Sequence, residues 1–182
     1  HKSFFNKKKI GLASARAGNV IGGGDWSDNR LIPDAINSII KNKTIHIRNP
    51  NYNRPWQHVM EPLYGYLILA KKLYKQPKKY SGPWNFGTRK NTVTNVLKIV
   101  KEIVKYWGKG KITFKKKQKY YEQTNLQLNI NKSKKILKWE PKYSIVKSVQ
   151  ITTEWYKKVL IENTDVEKIT SRQIMDYMNE PK

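Results

Sequence analysis

One short stretch concentrates side chains able to hold a charged, oxygen-rich ligand. Between Ala15 and Pro33 lie Arg16, Asn19, Asp25, Trp26 and Arg30, grouped around Gly22, Gly23 and Gly24. A guanidinium forks onto phosphate or carboxylate oxygens, and an amide adds directed hydrogen bonds. Three successive glycines let the backbone take positive φ and lie close to a bulky neighbour. The stretch therefore reads as a ligand-facing loop. With three histidines, no cysteine and no clustered carboxylates, the chain has no metal-site spacing, thiol nucleophile or disulfide framework.

The loop needs a strand before it and a helix after it. Ile10 to Ala15 is apolar and small, as in a strand covered on both faces. The carboxyl end of such a strand is where open α/β sheets place ligands. Leu31-Ile32-Pro33-Asp34 opens a helix, with proline in the first turn and Asp34 at the positive end of the dipole. Thr44 to Arg48 alternates as a short strand, Asn49 to Asn53 is a turn, and Arg54 to Val59 is extended again. Glu61-Pro62 begins a helix to about Lys75; its middle, Tyr66 to Ala70, is apolar all round and is expected to be well buried. Trp84 to Gly87 is a short strand.

Val93 to Trp107 gives the clearest amphipathic helix, with Asn91 or Thr92 as its cap and Gly108 and Gly110 at its end. Ile112 and Phe114 form a basic strand, and Leu126, Leu128 and Ile130 alternate as another. Short helices follow over Lys132 to Leu137 and around Val149 to Leu160. Thr170 or Ser171 caps a last one carrying Ile174 and Met178. Strands alternating with helices argue α/β. Because strands are few and short after Gly87, the expectation is a small mixed lobe on the edge of a larger parallel sheet. His1 to Phe5 reads as the tail of a helix ended by Lys7 to Lys9.

The 182 residues suffice for one domain or a piece of a larger one, and 38% hydrophobic content supports a packed core. The absence of a leader or a membrane-length apolar run points to a cytoplasmic protein and no membrane partner. The net charge of +24 raises a basic nucleic-acid- or polysaccharide-binding module as a reading of a different class. That charge is spread along the chain. Only Lys115 to Lys117 with Lys119-Tyr120-Tyr121 mixes cations and aromatics, and no nucleic-acid-binding signature accompanies it, so nucleic acid is disfavoured.

Arg-Ala-Gly-Asn-Val-Ile-Gly-Gly-Gly-Asp-Trp (16–26), Arg30 to Asp34, Ile47 to Pro50, Arg54-Pro55-Trp56-Gln57-His58-Val59, Glu61-Pro62-Leu63 and Gly65-Tyr66 together resemble the CDP-glucose 4,6-dehydratases. Trp84 to Gly87, Leu126 to Asn129, Leu137, Trp139, Pro141 and Glu154 to Lys157 extend the resemblance over nearly the whole chain. These enzymes belong to the NAD-dependent epimerase/dehydratase group of extended short-chain dehydrogenase/reductases. The resemblance implies the C-terminal part of a Rossmann-type α/β enzyme with a small substrate lobe. Residues 1–18 and about 54–87 would complete the Rossmann domain, and about 19–53 and 88–182 would form the lobe. It also implies NAD as cofactor, CDP-glucose as substrate, a homodimer of the full-length protein, and a lyase reaction serving deoxysugar and surface-polysaccharide synthesis. Another nucleotide-sugar epimerase or dehydratase is the nearest alternative.

Residue by residue, the resemblance places Arg54 on the substrate diphosphate and Asn19 near the phosphates. Arg30 and Leu31 make a substrate-contacting pair at the helix start. His46, Ile47 and Arg48 flank the base, Asn91 and Glu122 contact substrate, and Ala17, Gly18 and Val20 pass the nicotinamide. Asn129 stands where the family pattern has Asp. The glycine fingerprint, the Tyr-x-x-x-Lys pair and the acid/base carboxylate of the family are not among these residues. Tyr74 with Lys78 and Tyr143 with Lys147 have the bare spacing, but both pairs are expected on the surface. No catalytic residue and no metal ligand is assigned to the chain, which is expected not to turn over alone.

Overall fold

The computed structural model describes residues 10–89, 92, 94–114 and 127–181. Its elements run β1 (Ala13–Ala17), β2 (Asn19–Ile21), α1 (Leu31–Ile40), β3 (Ile45–Ile47), β4 (Asn53–Arg54), β5 (Trp56–His58), α2 (Met60–Lys75), α3 (Pro77–Tyr80), β6 (Gly82–Phe86), β7 (Thr94–Asn95), α4 (Val96–Trp107) and β8 (Ile112–Phe114). A π-helical turn (Ser133–Leu137), α5 (Ile145–Leu160) and α6 (Val166–Asn179) follow. Among the described residues the strands form four two-stranded ribbons. β1–β6, β2–β5 and β3–β8 are parallel, and β4–β7 is antiparallel.

The largest core lies where α1, α4 and α5 meet the β3 and β5 ribbons, around Ile36, Ile39, Ile47, Trp56, Ile103, Val149 and Tyr156. A second joins α2, α3 and β6 to the π-helical turn through Leu69, Trp84, Phe86, Leu137 and Trp139. A third, of Tyr143, Ile151 and Tyr177, is centred on a buried carboxylate. Glu61 accepts hydrogen bonds from the N–H groups of Lys142 and Tyr143 and from the Tyr177 hydroxyl at 2.7 to 3.0 Å. Lys142 Nζ then donates to the carbonyls of Tyr177 and Glu180, closing the end of α6.

Several sequence expectations change. β1 starts at Ala13, not Ile10, and extends to Ala17 because its ladder with β6 sets its limits. α4 is capped by Asn95, whose side chain accepts from Lys98 N–H at 2.8 Å, not by Asn91 or Thr92: pairing of β7 with β4 holds residues 94 and 95 extended first. α6 begins at Val166 under Asp165, so Thr170 and Ser171 lie inside it. Gln127 to Ile130 form no strand. α2 is not buried all round, since Leu67 is 70% exposed and Leu63 half exposed. Tyr74 is exposed as expected, but Tyr143 is buried against Tyr177. The helix tail expected at His1 to Phe5 and the basic stretch from Lys115 to Tyr121 lie outside the described residues.

Candidate functional site

The glycine bend and the arginine before Pro-Trp meet. β2 runs parallel to β5, with Asn19 opposite Trp56 and Ile21 opposite His58. A side chain at Gly18 would lie 2.8 Å from the Pro55 carbonyl oxygen, so glycine is required there for the two segments to close. Gly18 N–H and Gln57 Nε2 both donate to Phe86 O, at 3.2 and 2.9 Å, tying this junction to the end of the β1–β6 ribbon.

A cleft of about 1030 Å³ opens over the junction. Ala17, Gly18, Asn19 and Val20 form one wall. Arg30 and Leu31 stand at the start of α1, His46, Ile47 and Arg48 come from β3 and its end, and Arg54 with Trp56 from the β4–β5 segment. Ten of the twelve residues singled out from the sequence thus line one cavity. The other two, Asn91 and Glu122, lie outside the described residues.

The charge at the rim is mainly cationic. Arg48 donates to Asn29 Oδ1 at 2.9 Å, and Asn29 takes a left-handed conformation with φ 61°. Arg30 stands 3.9 Å from Asp25. Arg54 donates to the Asn53 carbonyl and lies over the Tyr52 ring, 5.3 Å from its centroid. α1 points its N-terminus into the cleft without a side-chain cap, because Arg30 at that position carries no acceptor. Its first N–H groups and the positive end of its dipole therefore add to the arginines. Asp34 sits in the first turn; partial burial pushes its carboxyl up, against the pull of the Asn29 N–H and the Arg48 guanidinium. A cavity with three arginines, an uncapped helix start and apolar walls suits a polyanionic group attached to a flat or polyhydroxylated body.

The triple glycine serves the cleft and a close approach to a bulky neighbour at once. Gly22 lines the cleft, but a Cβ on Gly23 would fall 2.2 Å from the Trp155 ring, and Gly24, at φ 80°, faces the same ring. The glycines let α5 approach the bend. Tyr156, next in α5, donates its hydroxyl to Asp25 O and packs edge-on against Trp26. Trp155 is more than a hundred residues away in sequence, so local reading could not find it.

Sequence reasoning also missed Tyr52, Asn29, Ser38, Val96 and Gln127, which line the same cleft. An aromatic between two asparagines in a turn was the one available signal, at Tyr52. His58, two residues beyond Trp56 of the lining, is internal. Its Nδ1 accepts weakly from Met60 N–H at 3.4 Å, so the proton sits on Nε2, which has no partner among the described residues. Burial lowers its pKa from 6.5 to about 4. No cluster of metal ligands occurs among the described residues, and none of their helices is long and apolar enough to cross a membrane.

No family model matches the chain. It is 40% identical over 97% of its length to CDP-glucose 4,6-dehydratase of Salmonella typhimurium, and it spans about half (51%) of that protein. Among solved structures it is similar to dTDP-glucose 4,6-dehydratase of Bacillus anthracis in complex with NAD, with a TM-score of 0.66 and 22% identity, covering 80% of this chain and 44% of that one. It is also similar to UDP-N-acetylglucosamine 4-epimerase of Methanobrevibacter ruminantium, with a TM-score of 0.71 and 16% identity over 87% of this chain and 50% of that one. These likenesses establish the fold: part of the Rossmann-type α/β architecture of the extended short-chain dehydrogenase/reductases.

Proposed function

We propose that this chain is the substrate-binding part of a CDP-glucose 4,6-dehydratase, a hydro-lyase that converts CDP-glucose to CDP-4-dehydro-6-deoxy-glucose and water. The observation that carries this reading is the convergence of two separate sequence blocks, residues 17–31 and 46–56, on one arginine-rimmed cleft. The 40% identity to an enzyme of that name supports the dehydratase over an epimerase, for which the support is fold alone.

In this reading Arg54, Arg48 and the uncapped start of α1 at Arg30 and Leu31 hold the diphosphate, with Asn19 beside them. His46 and Ile47 form the wall along the cytosine. Asn91 and Glu122 are proposed as further substrate contacts. The division of the chain belongs to the same proposal: residues 1–18 and about 54–87 complete a Rossmann domain, and the rest forms the substrate lobe.

NAD, when bound, supplies reversible hydride storage for the oxidation at C4 and the reduction at C6. The chain's own residues fit one margin of that cofactor: Ala17, Gly18 and Val20 line the cleft at the end of the β1–β6 ribbon. Gly18 N–H is already given to Phe86 O, so this margin offers shape and carbonyls more than donors. No G-x-G-x-x-G occurs in the sequence to hold the pyrophosphate. The role of these residues is to seat the sugar nucleotide and exclude water from its diphosphate. A cytoplasmic homodimer working in deoxysugar synthesis for surface polysaccharide is the setting proposed for the whole enzyme.

Calorimetric titration of the 182-residue chain with CDP tests the reading. Binding is expected, and Arg54→Ala is expected to weaken it by at least about tenfold, or about 1.4 kcal/mol. No binding, or an unchanged affinity in the variant, would remove the diphosphate site from this cleft.

A further inference from the structure

The turn over residues 49–53 is held from two sides. Tyr52 N–H donates to Asn49 O at 3.2 Å, which closes the turn on itself. Its other side is fastened to the start of α4. Val96 N–H donates to Tyr52 O at 3.1 Å, and Leu97 N–H donates to Pro50 O at 3.0 Å. The first N–H groups of a helix have no partner within it, so these two carbonyls complete the start of α4 together with the Asn95 side chain. All the bonds that fix the turn at Tyr52 come from its backbone. Its side chain lines the cleft.

Arg54 lines the same cleft. Its backbone is fixed by β4, where it stands opposite Thr94 of β7. Its guanidinium donates to the Asn53 carbonyl at 2.9 Å and lies over the Tyr52 ring, 5.3 Å from the centroid. A long side chain loses rotamer freedom when it grips a ligand, and that loss opposes binding unless the side chain is ordered beforehand. The manner of ordering matters. A carboxylate would hold a guanidinium by its N–H edge, the edge with which arginine forks onto phosphate oxygens. An aromatic ring holds it by its flat face. Tyr52 thus orders Arg54 without engaging the donors that a phosphate uses.

We propose that Tyr52 is a positioning residue for anion binding: its ring orders the Arg54 guanidinium at the cleft wall, and affinity for a diphosphate depends on an aromatic ring at this position that itself bonds to no phosphate oxygen. This rests on the reading of the cleft as a nucleotide-diphosphate site. It adds that the strength of that site is set by the turn fastened to α4 and by the face of one ring. The ring face alone is used, so phenylalanine serves there as tyrosine does.

Nuclear magnetic resonance of the chain tests it. In the ligand-free parent the Arg54 Nε–H signal is expected to be ring-shifted and rigid. It is expected to lose both properties in Tyr52→Leu and to keep them in Tyr52→Phe. Titration with CDP and with inorganic pyrophosphate follows. Tyr52→Leu is expected to weaken both ligands by about fivefold or more, and Tyr52→Phe by less than about twofold. Pyrophosphate carries no base, so equal losses for the two ligands place the effect on the anion. A loss confined to CDP would make Tyr52 a platform for the base and overturn the proposal. A mobile Arg54 in the parent, an unchanged affinity in Tyr52→Leu, or a Tyr52→Phe as weak as Tyr52→Leu would overturn it too. The Val96 and Leu97 amides report whether the turn is intact, since both are bonded to its carbonyls. If they shift in Tyr52→Leu, the titration is repeated with Tyr52→Met. A parent that binds neither ligand would overturn the diphosphate reading and this proposal with it, whereas a parent that binds both, with indifference to residue 52, would overturn the role of Tyr52 alone.

Discussion

His58 carries a buried imidazole whose Nε2–H has no partner among the described residues, held neutral to about pH 4. The unfolded chain takes up a proton near pH 6.5, while the folded one does so only near 4. The depressed value means stability is fully present above pH 6.5 and falls progressively towards pH 4, by up to about 3 kcal/mol. Glu61 acts with the opposite sign, because burial raises its carboxyl above 4.5 and that contribution is lost as pH rises through the folded value. Denaturant melts across this range are expected to show the acid loss in the parent. His58→Phe, which keeps the edge contact with Tyr143, is expected to flatten it. At this scale the sequence was informative wherever a polar type stood at a strand end: Asn19, Arg48 and Arg54 share a cleft. It could not show that Gly18 answers to the Pro55 carbonyl, or that no described residue meets His58 Nε2, because both depend on neighbours set by tertiary packing.

Elements were legible where one periodicity dominated. α4 follows Val96, Val100, Ile103 and Trp107 and stops at Gly108, which takes φ 94°. Its start was not legible, since a pairing with β4 some forty residues upstream decides which asparagine caps. Asn95→Ala is therefore expected to cost about 1 kcal/mol in chemical denaturation, the usual loss of a side-chain cap. The glycine bend presents the same lesson in reverse. A flexible-loop reading would let Gly23→Ala pass unnoticed, but with Trp155 at 2.2 Å from the added methyl, a loss of about 1–3 kcal/mol is expected. The double variant Gly23→Ala, Trp155→Leu is expected to recover part of it; equal losses in single and double variants would show that the ring is not the obstacle.

At the scale of the whole molecule, two long ties fasten the C-terminal helices to the front half. One is the Glu61 cluster, which joins α2 to the segment before α5 and to α6. Tyr177→Phe removes one of its donors and is expected to cost about 1–2 kcal/mol, with exchange rising first in the amides of α6. No local pattern announced this cluster, since Glu61 reads from sequence as an ordinary first-turn acid on α2. The other tie is the Tyr156 hydroxyl on Asp25 O, between residues 131 positions apart. It leaves Trp26 about half exposed, edge-on to Tyr156, and adjacent to the Asp25 that faces Arg30 across the cleft mouth. An indole so placed is a natural fluorophore at the threshold: when an anion draws Arg30 away from Asp25, the emission colour and quenching of Trp26 register the event without any dye or label.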